Sequence, residues 1–404
     1  MATAIIDWPL TPYTGWGGYG IQLAQALMER GQPKPLLAAP NDRTPHCDLH
    51  WLAALDHLEA CSQPLRDKLA AAEAAGHWPV QTDAAVCFSP LGNGAPAPRF
   101  KAERQVGITF FECSRFAPHD LKQLQALDLI VTGSRWNQAL LTNLGLGQAQ
   151  LVHQGVDTAL FNPVAVPRLI QRSLVIFSGG KLEARKGQDV VIAAFRQLLR
   201  SHPDALLIAA WGNVGDVALN TIALSPHVQG APAQGRAAGI APWLEANGVP
   251  LGSVLLVPCI HSRQLPNLIK QADVAVFVSR CEGGTNLMAM ETLACGVPTV
   301  LSANTGHLDL LELGLAHAWP VGQRGLGAVA PPLVAPYGGD PLGLWGETEP
   351  QELLDCWLRL AADKQRWRAQ ASHDAVAMER MSWRVSMARL MQLLQQQGVP
   401  VPAA

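Results

Sequence analysis

The sequence has 404 residues, 49% of them hydrophobic and 15% charged, which excludes a wholly disordered chain and provides enough apolar residues for a large core. The 30 Lys and Arg residues are balanced by 32 Asp and Glu residues, which excludes the dense positive charge of a general nucleic-acid binder. A chain of this length is typical of two or three domains.

Cysteine usage and the amino-terminal segment both indicate a cytoplasmic protein. The eight cysteines include no CxxC pair, so the sequence gives no support for a zinc site or a redox motif. The amino-terminal segment has no basic region, and no run approaches the ~20 apolar residues of a membrane span. We therefore expect a cytoplasmic location, with a possible peripheral membrane contact.

The amino-terminal part of the chain alternates short β-rich runs with amphipathic stretches, which is typical of an α/β domain with a parallel sheet. Ala4–Trp8 is predicted as the first strand, and a glycine-rich loop, Gly15–Gly20, leads into a helix at Ile21–Arg30. Residues 40–80 have helical character with little strand signal. Further strands are predicted at Ala84–Phe88, Gln105–Phe111, Leu127–Thr132 and from Leu151, with a helix at about 135–144.

A second α/β pattern follows residues 162–172, where two prolines and the lack of a period predict a linker between domains. Asp189–Arg200 is predicted as a helix with one apolar stripe. Residues 320–347 predict a long Gly- and Pro-rich loop, and Pro350–Gln397 is predicted to be mostly helical. The other predicted elements are strands at Leu174–Ser178, Ala205–Trp211, Val254–Pro258, Val274–Val278 and Thr299–Ser302, and helices at Leu265–Gln271 and Leu287–Ala294.

The first glycine-rich loop, Gly15–Gly20, has the order strand, loop, helix that is common at anion sites. Its spacing is G-x-G-G-x-G rather than G-x-G-x-x-G, and no acidic residue ends a clear second strand about 20 residues later. By itself this pattern favours a tight turn and a ligand loop equally.

A basic loop, Ser178–Gly187, joins a predicted strand to the amphipathic helix and carries three cations beside three glycines. Ligands of parallel α/β sheets bind at the carboxyl ends of the strands, where a cation can neutralise a phosphate. The alternative is a surface loop whose charges face water. Of the three cations, Arg185 has the weakest claim to function because it is expected to point outward.

The segment Ser279–Pro298 follows a strand with a glycine-rich turn, capping residues and a helix. Thr285 and Asn286 are good N-cap types, and the amides near them could hold an anion. A glutamate in an otherwise apolar helix is costly unless it is paired, so Glu291 is a candidate to accept the two hydroxyls of a ribose. The alternatives are a structural partner for a loop amide at Glu291 and an ordinary turn residue at Glu282.

Four sequence pieces in this order resemble the family 4 glycosyltransferases, which have the GT-B fold and retain the anomeric configuration. The pieces are the amino-terminal glycine loop, Gly155-Val156-Asp157 with Phe161-Asn162-Pro163, the loop from Gly180 to Gly187, and Glu282–Pro298. Trp345–Pro350 and Ser382-Trp383 are also similar to the family. The resemblance covers most of residues 150–395 and is thinner before them.

The resemblance implies an α/β fold of GT-B architecture, in which two Rossmann-like domains with parallel sheets face an inter-domain cleft. Residues 1–165 would form the acceptor-side domain, with a carboxyl-terminal helix at about 384–397 packing back on it. Residues 170–383 would form the domain that binds the nucleotide sugar.

The family pattern also assigns roles residue by residue. Lys181 and Lys186 would bind the donor diphosphate, Glu291 the ribose, and Glu282 the transferred sugar. The implied catalytic residues are Lys181, Lys186, Glu282 and Glu112, and the implied donor-binding residues are Gly17, Gly18, Gly180, Gly283, Gly284, Thr285, Asn286, Leu287 and Glu291.

Two departures from the family pattern concern these residues. Eight residues rather than seven separate Glu282 from Glu291, so Glu282 is displaced by one unless the turn contains a one-residue bulge. Many family members carry a histidine where this chain reads Thr109–Arg115. Glu112 in that stretch is a candidate for acceptor contact, whereas the nearby His119 is interpreted as a surface residue at a helix start.

The predicted function is transfer of a sugar from a nucleotide-sugar donor to an unidentified acceptor, which could be a glycan, a protein, a lipid or a small molecule. We expect no metal, because the sequence has no Asp-x-Asp pair, and no cofactor beyond the donor itself. The alternatives are an epimerase-like or phosphorylase-like enzyme and a catalytically silent sugar-binding protein. The lysine roles predict that Lys186→Ala loses far more activity than Arg185→Ala.

Overall fold

The computed structural model describes residues 2–41, 49–213, 216–258, 260, 262–329 and 343–402. The chain divides into two compact units. Unit 1 comprises Met1–Phe111, Phe116–Gly155 and Trp383–Ala404, and unit 2 comprises Glu112–Arg115 and Val156–Ser382.

Unit 1 contains a parallel sheet of six strands in the order β2-β1-β4-β6-β7-β8. A separate pair, β3 with β5, is also parallel. The elements of unit 1 are β1 (Thr3–Ile6), α1 (Gly15–Arg30), β2 (Lys34–Leu37), α2 (Leu49–Ala75), β3 (Val80–Gln81), β4 (Val86–Pro90), β5 (Phe100–Lys101), β6 (Arg104–Thr109), α3 (Pro118–Gln125), β7 (Leu129–Thr132), α4 (Arg135–Asn143) and β8 (Ala149–Leu151).

The core of unit 1 is completed by a helix from the far end of the chain, Trp383–Gln396. Its buried Leu390 and Leu394 share one apolar cluster with Leu23 and Leu27 of α1. The helix therefore belongs to unit 1 although all of Val156–Ser382 lies between it and the rest of that unit.

Unit 2 contains a second parallel sheet of six strands, in the order β11-β10-β9-β12-β13-β14. Its elements are β9 (Val175–Gly180), α5 (Gln188–Leu198), β10 (Leu206–Trp211), α6 (Asp216–Asn220), α7 (Ala237–Ala246), β11 (Val254–Leu256), α8 (Leu265–Ile269), β12 (Val274–Phe277), α9 (Leu287–Ala294), β13 (Thr299–Ser302), α10 (His307–Leu311), β14 (Ala318–Val321), β15 (Gly327–Ala328), β16 (Leu344–Trp345), α11 (Pro350–Ala362) and α12 (Lys364–Asp374). In the same numbering, Trp383–Gln396 of unit 1 is α13.

Strand β9, in the middle of the unit 2 sheet, is buried on both faces. Alternate residues of β9 point to opposite faces, so that Ile176 lies in one apolar cluster and Val175 and Phe177 lie in another. A strand that is covered on both faces reads as a continuous apolar run, which is why β9 could be predicted from its sequence.

The observed boundary between the units lies at Gly155 and Val156, whereas the sequence predicts domains of 1–165 and 170–383. The predicted linker at residues 162–172 is part of unit 2. Its polar groups are fixed there, because Arg168 pairs with Asp273 at 2.9 Å and the Leu169 amide donates to Gln271 at 2.7 Å.

Two secondary-structure elements differ from what the sequence predicts. Strand β2 has no predicted counterpart, since it is only four residues long and begins with Lys34 and Pro35. The predicted loop at 320–347 contains the end of β14 and a short antiparallel pair, β15 with β16, while residues 330–342 of that loop lie outside the described residues.

Candidate functional site

The candidate site is built at the carboxyl ends of β9 and β12, which are parallel neighbours in unit 2. The segment after β9 forms a 3-10 turn at Ala184–Lys186 and leads into α5. The segment after β12 contains Glu282 and ends at Asn286, the N-cap of α9. Because carboxyl ends of parallel strands share one edge, the two charged segments meet there.

Arg185 lies at the centre of this meeting point and is only 4% exposed. Its guanidinium donates to the Cys281 carbonyl at 2.8 Å and pairs with Glu112 at 2.9 Å and with Glu183. The expectation that Arg185 points outward is therefore wrong. The physical reason is that the surrounding carboxylates offset the cost of removing the guanidinium from water.

Glu282 is joined directly to the basic turn. Lys186 Nζ donates to both of its carboxylate oxygens, at 2.7 and 2.8 Å, while Ser279 Oγ donates to Oε1 at 2.6 Å. Burial by itself would raise the pKa of Glu282, but Lys186 and Arg185 outweigh it and hold the pKa at about 2. Glu282 is thus an ionised, buried carboxylate that accepts hydrogen bonds from donors of the protein itself.

Asn286 organises the turn that contains the extra residue between the two glutamates. Its backbone has φ of 61°, a left-handed conformation that asparagine tolerates better than most residues. Its side-chain Oδ1 accepts from the Ala289 amide at 3.3 Å, which is the expected capping bond of α9. Its Nδ2 donates to Glu282 at 3.0 Å, so the same side chain caps the helix and holds the carboxylate.

The second acceptor for Asn286 is His307 Nε2, at 3.2 Å. Since Asn286 Nδ2 is a donor, the ring proton lies on Nδ1 and is donated to Ser302 Oγ at 2.9 Å. Burial lowers the pKa of His307 to about 4, against the opposing effect of Glu282, so the ring is neutral near pH 7. Sequence reasoning missed His307, because a single histidine far along the chain carries no motif.

Glu291 lies in α9, where its residue surface is partly exposed but its Oε2 atom is buried. Among the described residues this oxygen has no hydrogen-bond partner. Burial raises the pKa of Glu291 to about 8. A buried oxygen without a partner is rare in native proteins, which makes Glu291 Oε2 a candidate to accept a hydrogen bond from a ligand.

Glu112 lies in the four-residue stretch, Glu112–Arg115, that belongs to unit 2. Its carbonyl accepts from Trp345 Nε1 at 2.9 Å, and its carboxylate pairs with Arg185. Burial raises the pKa of Glu112, and Arg185 opposes this effect. The structure therefore brings Glu112 together with the basic turn, whereas His119 is exposed on α3 of unit 1, as expected.

The remaining unit 2 residues predicted for the donor site fall around these groups. Lys181 is exposed, and its ammonium has no partner among the residues that the structure describes. Gly180 has φ of 113°, which favours glycine, and no described atom lies near the position of a Cβ there. Gly283, Gly284 and Thr285 are buried in the turn before α9, and Leu287 is the first residue of that helix.

Gly17 and Gly18 lie in unit 1, within α1 rather than in a loop. The predicted glycine loop is wrong because Thr14 caps the helix, with its side chain accepting from the Gly17 amide at 3.0 Å. A Cβ on Gly17 would overlap the backbone of Thr11, whereas a Cβ on Gly18 would meet no described atom within 4 Å. Packing thus explains one of the two predicted glycines.

A buried ion pair that the sequence did not reveal stabilises the two segments of the site. Arg280 binds Asp189 through two hydrogen bonds of 2.9 and 2.8 Å, and the Arg280 amide donates to the Arg185 carbonyl at 2.7 Å. Burial by itself would raise the pKa of Asp189, but Arg280 outweighs it and lowers that pKa. This pair links the start of α5 to the turn before α9.

The comparison with protein families finds a similarity that covers this site. Residues 172–322, which include the basic turn and α9, match the family model described as "Glycosyl transferases group 1". Within the described residues, no group of three or more His, Cys, Asp or Glu side chains could hold a metal ion. The described helices also include none that is both long and apolar enough to cross a membrane.

A glycosyltransferase is also similar to part of the chain. D-inositol 3-phosphate glycosyltransferase of Segniliparus rotundus is 29% identical over 166 residues, which cover 40% of this chain and 32% of that protein. The match thus spans about a third of that relative's length.

Two solved structures match nearly the whole chain. Sucrose-phosphate synthase of Thermosynechococcus elongatus has a TM-score of 0.63 at 16% identity, covering 98% of this chain and 99% of that one. HepE of Anabaena, solved in complex with UDP, has a TM-score of 0.59 at 15% identity, covering 98% and 100%. The chain has the fold of these GT-B glycosyltransferases, and the predicted α/β class with parallel sheets is confirmed.

Proposed function

We propose that the protein is a glycosyltransferase that moves a sugar from a nucleoside-diphosphate sugar to an acceptor. The observation that carries the proposal is the junction of Lys186 with Glu282 at the carboxyl edge of the unit 2 sheet. This junction lies inside the segment that matches the glycosyltransferase family model.

The cations of the basic turn suit the leaving group of such a transfer. As the bond between sugar and diphosphate breaks, negative charge grows on the phosphate oxygens. Fixed cations stabilise that charge more in the transition state than in the bound donor, which lowers the barrier. Lys186 and the exposed Lys181 are proposed to bind the diphosphate, and the backbone amides at Gly283–Leu287 are proposed to add donors there.

Glu291 is proposed to bind the ribose of the donor. Its Oε2 atom is buried without a partner among the described residues, and ribose hydroxyls would supply the missing donors. HepE is a structural neighbour that has been solved with UDP and with UDP-glucose, which makes a uridine nucleotide the first candidate donor.

Glu282 is proposed to position Lys186 rather than to act mainly on the sugar. Three donors already reach its Oε1 atom, from Lys186, Ser279 and Asn286. A carboxylate oxygen has about two lone-pair sites, so Oε1 has no capacity left for a sugar hydroxyl. Direct contact of Glu282 with the transferred sugar remains a prediction that would use its Oε2 atom.

Glu112 is proposed to contact the acceptor, since its carboxylate is held beside the basic turn by Arg185. A carboxylate whose pKa is raised is a better proton acceptor than an ordinary glutamate, which suits the deprotonation of an acceptor hydroxyl. Retention of configuration, the absence of a metal requirement, the roles of Gly17 and Gly18 in donor binding and a cytoplasmic location stay predictions.

Donor binding and turnover test the proposal. We expect UDP, GDP or ADP, or one of their sugars, to raise the melting temperature, because a ligand that binds the folded state stabilises it. With the donor so identified, Lys186→Met should lower transfer activity by about 10²–10³-fold, as removal of a charge-stabilising donor does elsewhere. Lys122→Met, on an exposed lysine of unit 1, is the matched control.

Three outcomes contradict the proposal or redirect it. A nucleotide that binds without any turnover across a panel of acceptors would favour the silent sugar-binding protein. Conversion of the nucleotide sugar in the absence of an acceptor would favour an epimerase-like enzyme. Equal activity of the Lys186 and Lys122 variants would remove Lys186 from the diphosphate site.

A further inference from the structure

An open cavity of about 570 Å³, lined by both charged and apolar groups, lies in unit 2 at the amino ends of the strands. Its lining includes residues that directly precede β9 and β12. A strand as long as β9 spans about 15–20 Å, so this cavity is separate from the site at the carboxyl edge. Its charged lining residues are Arg168, Arg172, Asp204, Asp273, Lys364 and Arg368.

Three of these cations share one carboxylate. Asp273, which is 3% exposed, lies 2.9 Å from Arg168, 3.5 Å from Lys364 and 3.8 Å from Arg368. Its Oδ2 atom also accepts from the Val175 amide at 2.9 Å. One carboxylate that serves three cations and a backbone amide leaves positive charge uncompensated.

The second acid of the cavity does not remove that surplus. Asp204 accepts from the Ser173 amide at 3.0 Å, so it too is engaged by the backbone. Arg172 is exposed and its guanidinium makes no hydrogen bond or ion pair within the part of the chain that the structure describes, although its charge helps to lower the pKa of Asp204. Four bases therefore face two acids, which leaves a net charge of about +2 in one cavity.

Arg368 is partly buried and lies near both Arg168 and Asp273, the latter of which favours its charge. Burial lowers the pKa of Arg368, and the nearby Arg168 lowers it further. Crowded, partly desolvated guanidinium groups of this kind are typical of sites where an oxyanion provides the missing charge.

Part of the cluster has a structural role. Arg368 donates to the carbonyls of Ala272 and Lys270, and Lys364 donates to the Ser173 carbonyl at 2.7 Å. These bonds tie α12 to the sheet edge and account for two of the four cations. They do not account for Arg172, or for the donors of Arg168 that Asp273 does not use.

We infer that this cavity binds a small molecule with a phosphate group, and that Arg168 and Arg172 hold the phosphate. The charge of a phosphate monoester, close to −2 near pH 7, matches the surplus of the cavity. The cavity is also larger than a bare phosphate needs, which leaves room for the rest of a small molecule. The inference concerns a different edge of the sheet and does not rest on the proposed glycosyl transfer.

Calorimetric titration of the whole protein with inorganic phosphate, with glycerol 3-phosphate and with glycerol tests this inference. We expect both phosphates to bind in the millimolar range or tighter, glycerol not to bind, and Arg172→Gln to weaken binding by about tenfold. Because Arg172 is exposed and its guanidinium makes no hydrogen bond or ion pair with the described residues, this variant is expected to fold. Arg366→Gln, an exposed arginine of the same helix as Arg368 that does not line the cavity, should bind like the wild type.

Two further variants make the outcome decisive. Arg168→Gln should weaken binding as well, and its folding is checked by its melting temperature because it also loses a pair with Asp273. Lys186→Met separates this cavity from the carboxyl-edge site and should leave the affinity for glycerol 3-phosphate unchanged. Equal affinities of the Arg172, Arg366 and wild-type proteins, or no binding of either phosphate to the wild type, would overturn the inference.

Discussion

Two glycine-rich helix starts in this chain look alike in sequence and differ in what surrounds them. At the start of α1, a Cβ on Gly17 would overlap Thr11 and one on Gly20 would overlap Leu10 and Trp8. These glycines allow neighbouring segments of unit 1 to approach closely. Before α9, the turn instead carries the buried Glu282, which Lys186 and Asn286 bind.

The difference lies in the charged groups that a parallel sheet brings to the turn, rather than in the glycines. The start of α1 follows the carboxyl end of β1, where glycines and aromatic side chains pack together. The rings of Trp8 and Trp16 make an edge-to-face contact there. The start of α9 shares its sheet edge with the basic turn after β9. In this chain, the glycine-rich helix start that forms a candidate anion site is the one beside a strand that supplies cations.

The largest expected effect concerns Arg185, the buried cation beside the turn before α9. Arg185→Met should reduce the free energy of unfolding by about 3–5 kcal/mol, because Glu183 and Glu112 would keep their burial and lose their partner. Arg324→Met, in an exposed pair with Glu349, should cost no more than about 1 kcal/mol. Urea unfolding of the two variants measures both values.

This prediction replaces the one made from the sequence, in which Arg185 mattered little. Activity lost by Arg185→Ala would now reflect an unfolded or loosened site as well as chemistry. Equal stabilities of the Arg185 and Arg324 variants would show that the buried cluster is not an essential ion network.

A smaller effect separates the two glycines of α1. Gly17→Ala should cost about 1–3 kcal/mol, because the added methyl must displace the Thr11 backbone. Gly18→Ala should instead stabilise the protein by about 0.5–1 kcal/mol, as the same change does in open helix positions. Thermal unfolding of both variants checks the sign, and a destabilised Gly18 variant would contradict it.

The Gly18 variant also tests whether the start of α1 contributes to donor binding. A protein that folds normally but binds the donor more weakly would support a role of the Gly18 backbone in donor binding. Unchanged donor affinity would assign all the glycines of this helix start to packing and helix geometry.

The smallest expected effect comes from Glu291. Since burial raises its pKa to about 8, the folded state holds a proton that the unfolded state releases near pH 4.5, so stability falls as pH rises. Between pH 6.5 and 7.5 the loss should be about 1 kcal/mol, and Glu291→Gln should abolish it. Below pH 6.5, His307 contributes the opposite slope, because folding lowers its pKa. The measurements must therefore begin near pH 6.5, the ordinary pKa of a histidine in an unfolded chain.

Unfolding free energies measured at the two pH values, in wild type and Glu291→Gln, test this assignment. A pH slope that survives in the variant would place the titrating group elsewhere. A nucleotide that removes the slope in the wild type would link the same carboxylate to ribose binding.

The sequence could predict elements whose signals are local. The bounds of α9 agree at both ends, because Asn286 caps an apolar run that Gly296 and Pro298 end. Strand β13 agrees for a similar reason, since Thr299–Ser302 is bounded by Pro298 and buried on both faces.

What could not be predicted depends on distant partners. Arg185 is buried by Glu112 and Cys281, which lie far from it in the chain, so no local pattern distinguishes it from a surface arginine. The partnership of His307 with Asn286 likewise requires α10 to follow β13 beside the turn before α9. The extra residue between the two glutamates was visible in the sequence, but its accommodation by a left-handed Asn286 was not.

The position of α13 has a consequence for how the chain is made. Unit 1 begins to emerge from the ribosome first, yet Leu390 and Leu394 of its core are synthesised only after all of Val156–Ser382. At about 5–20 residues per second, synthesis of the intervening residues takes on the order of 10–50 s. During that time the face of α1 that α13 covers is exposed. During synthesis that face is the surface on which a chaperone, or a neighbouring nascent chain, would act.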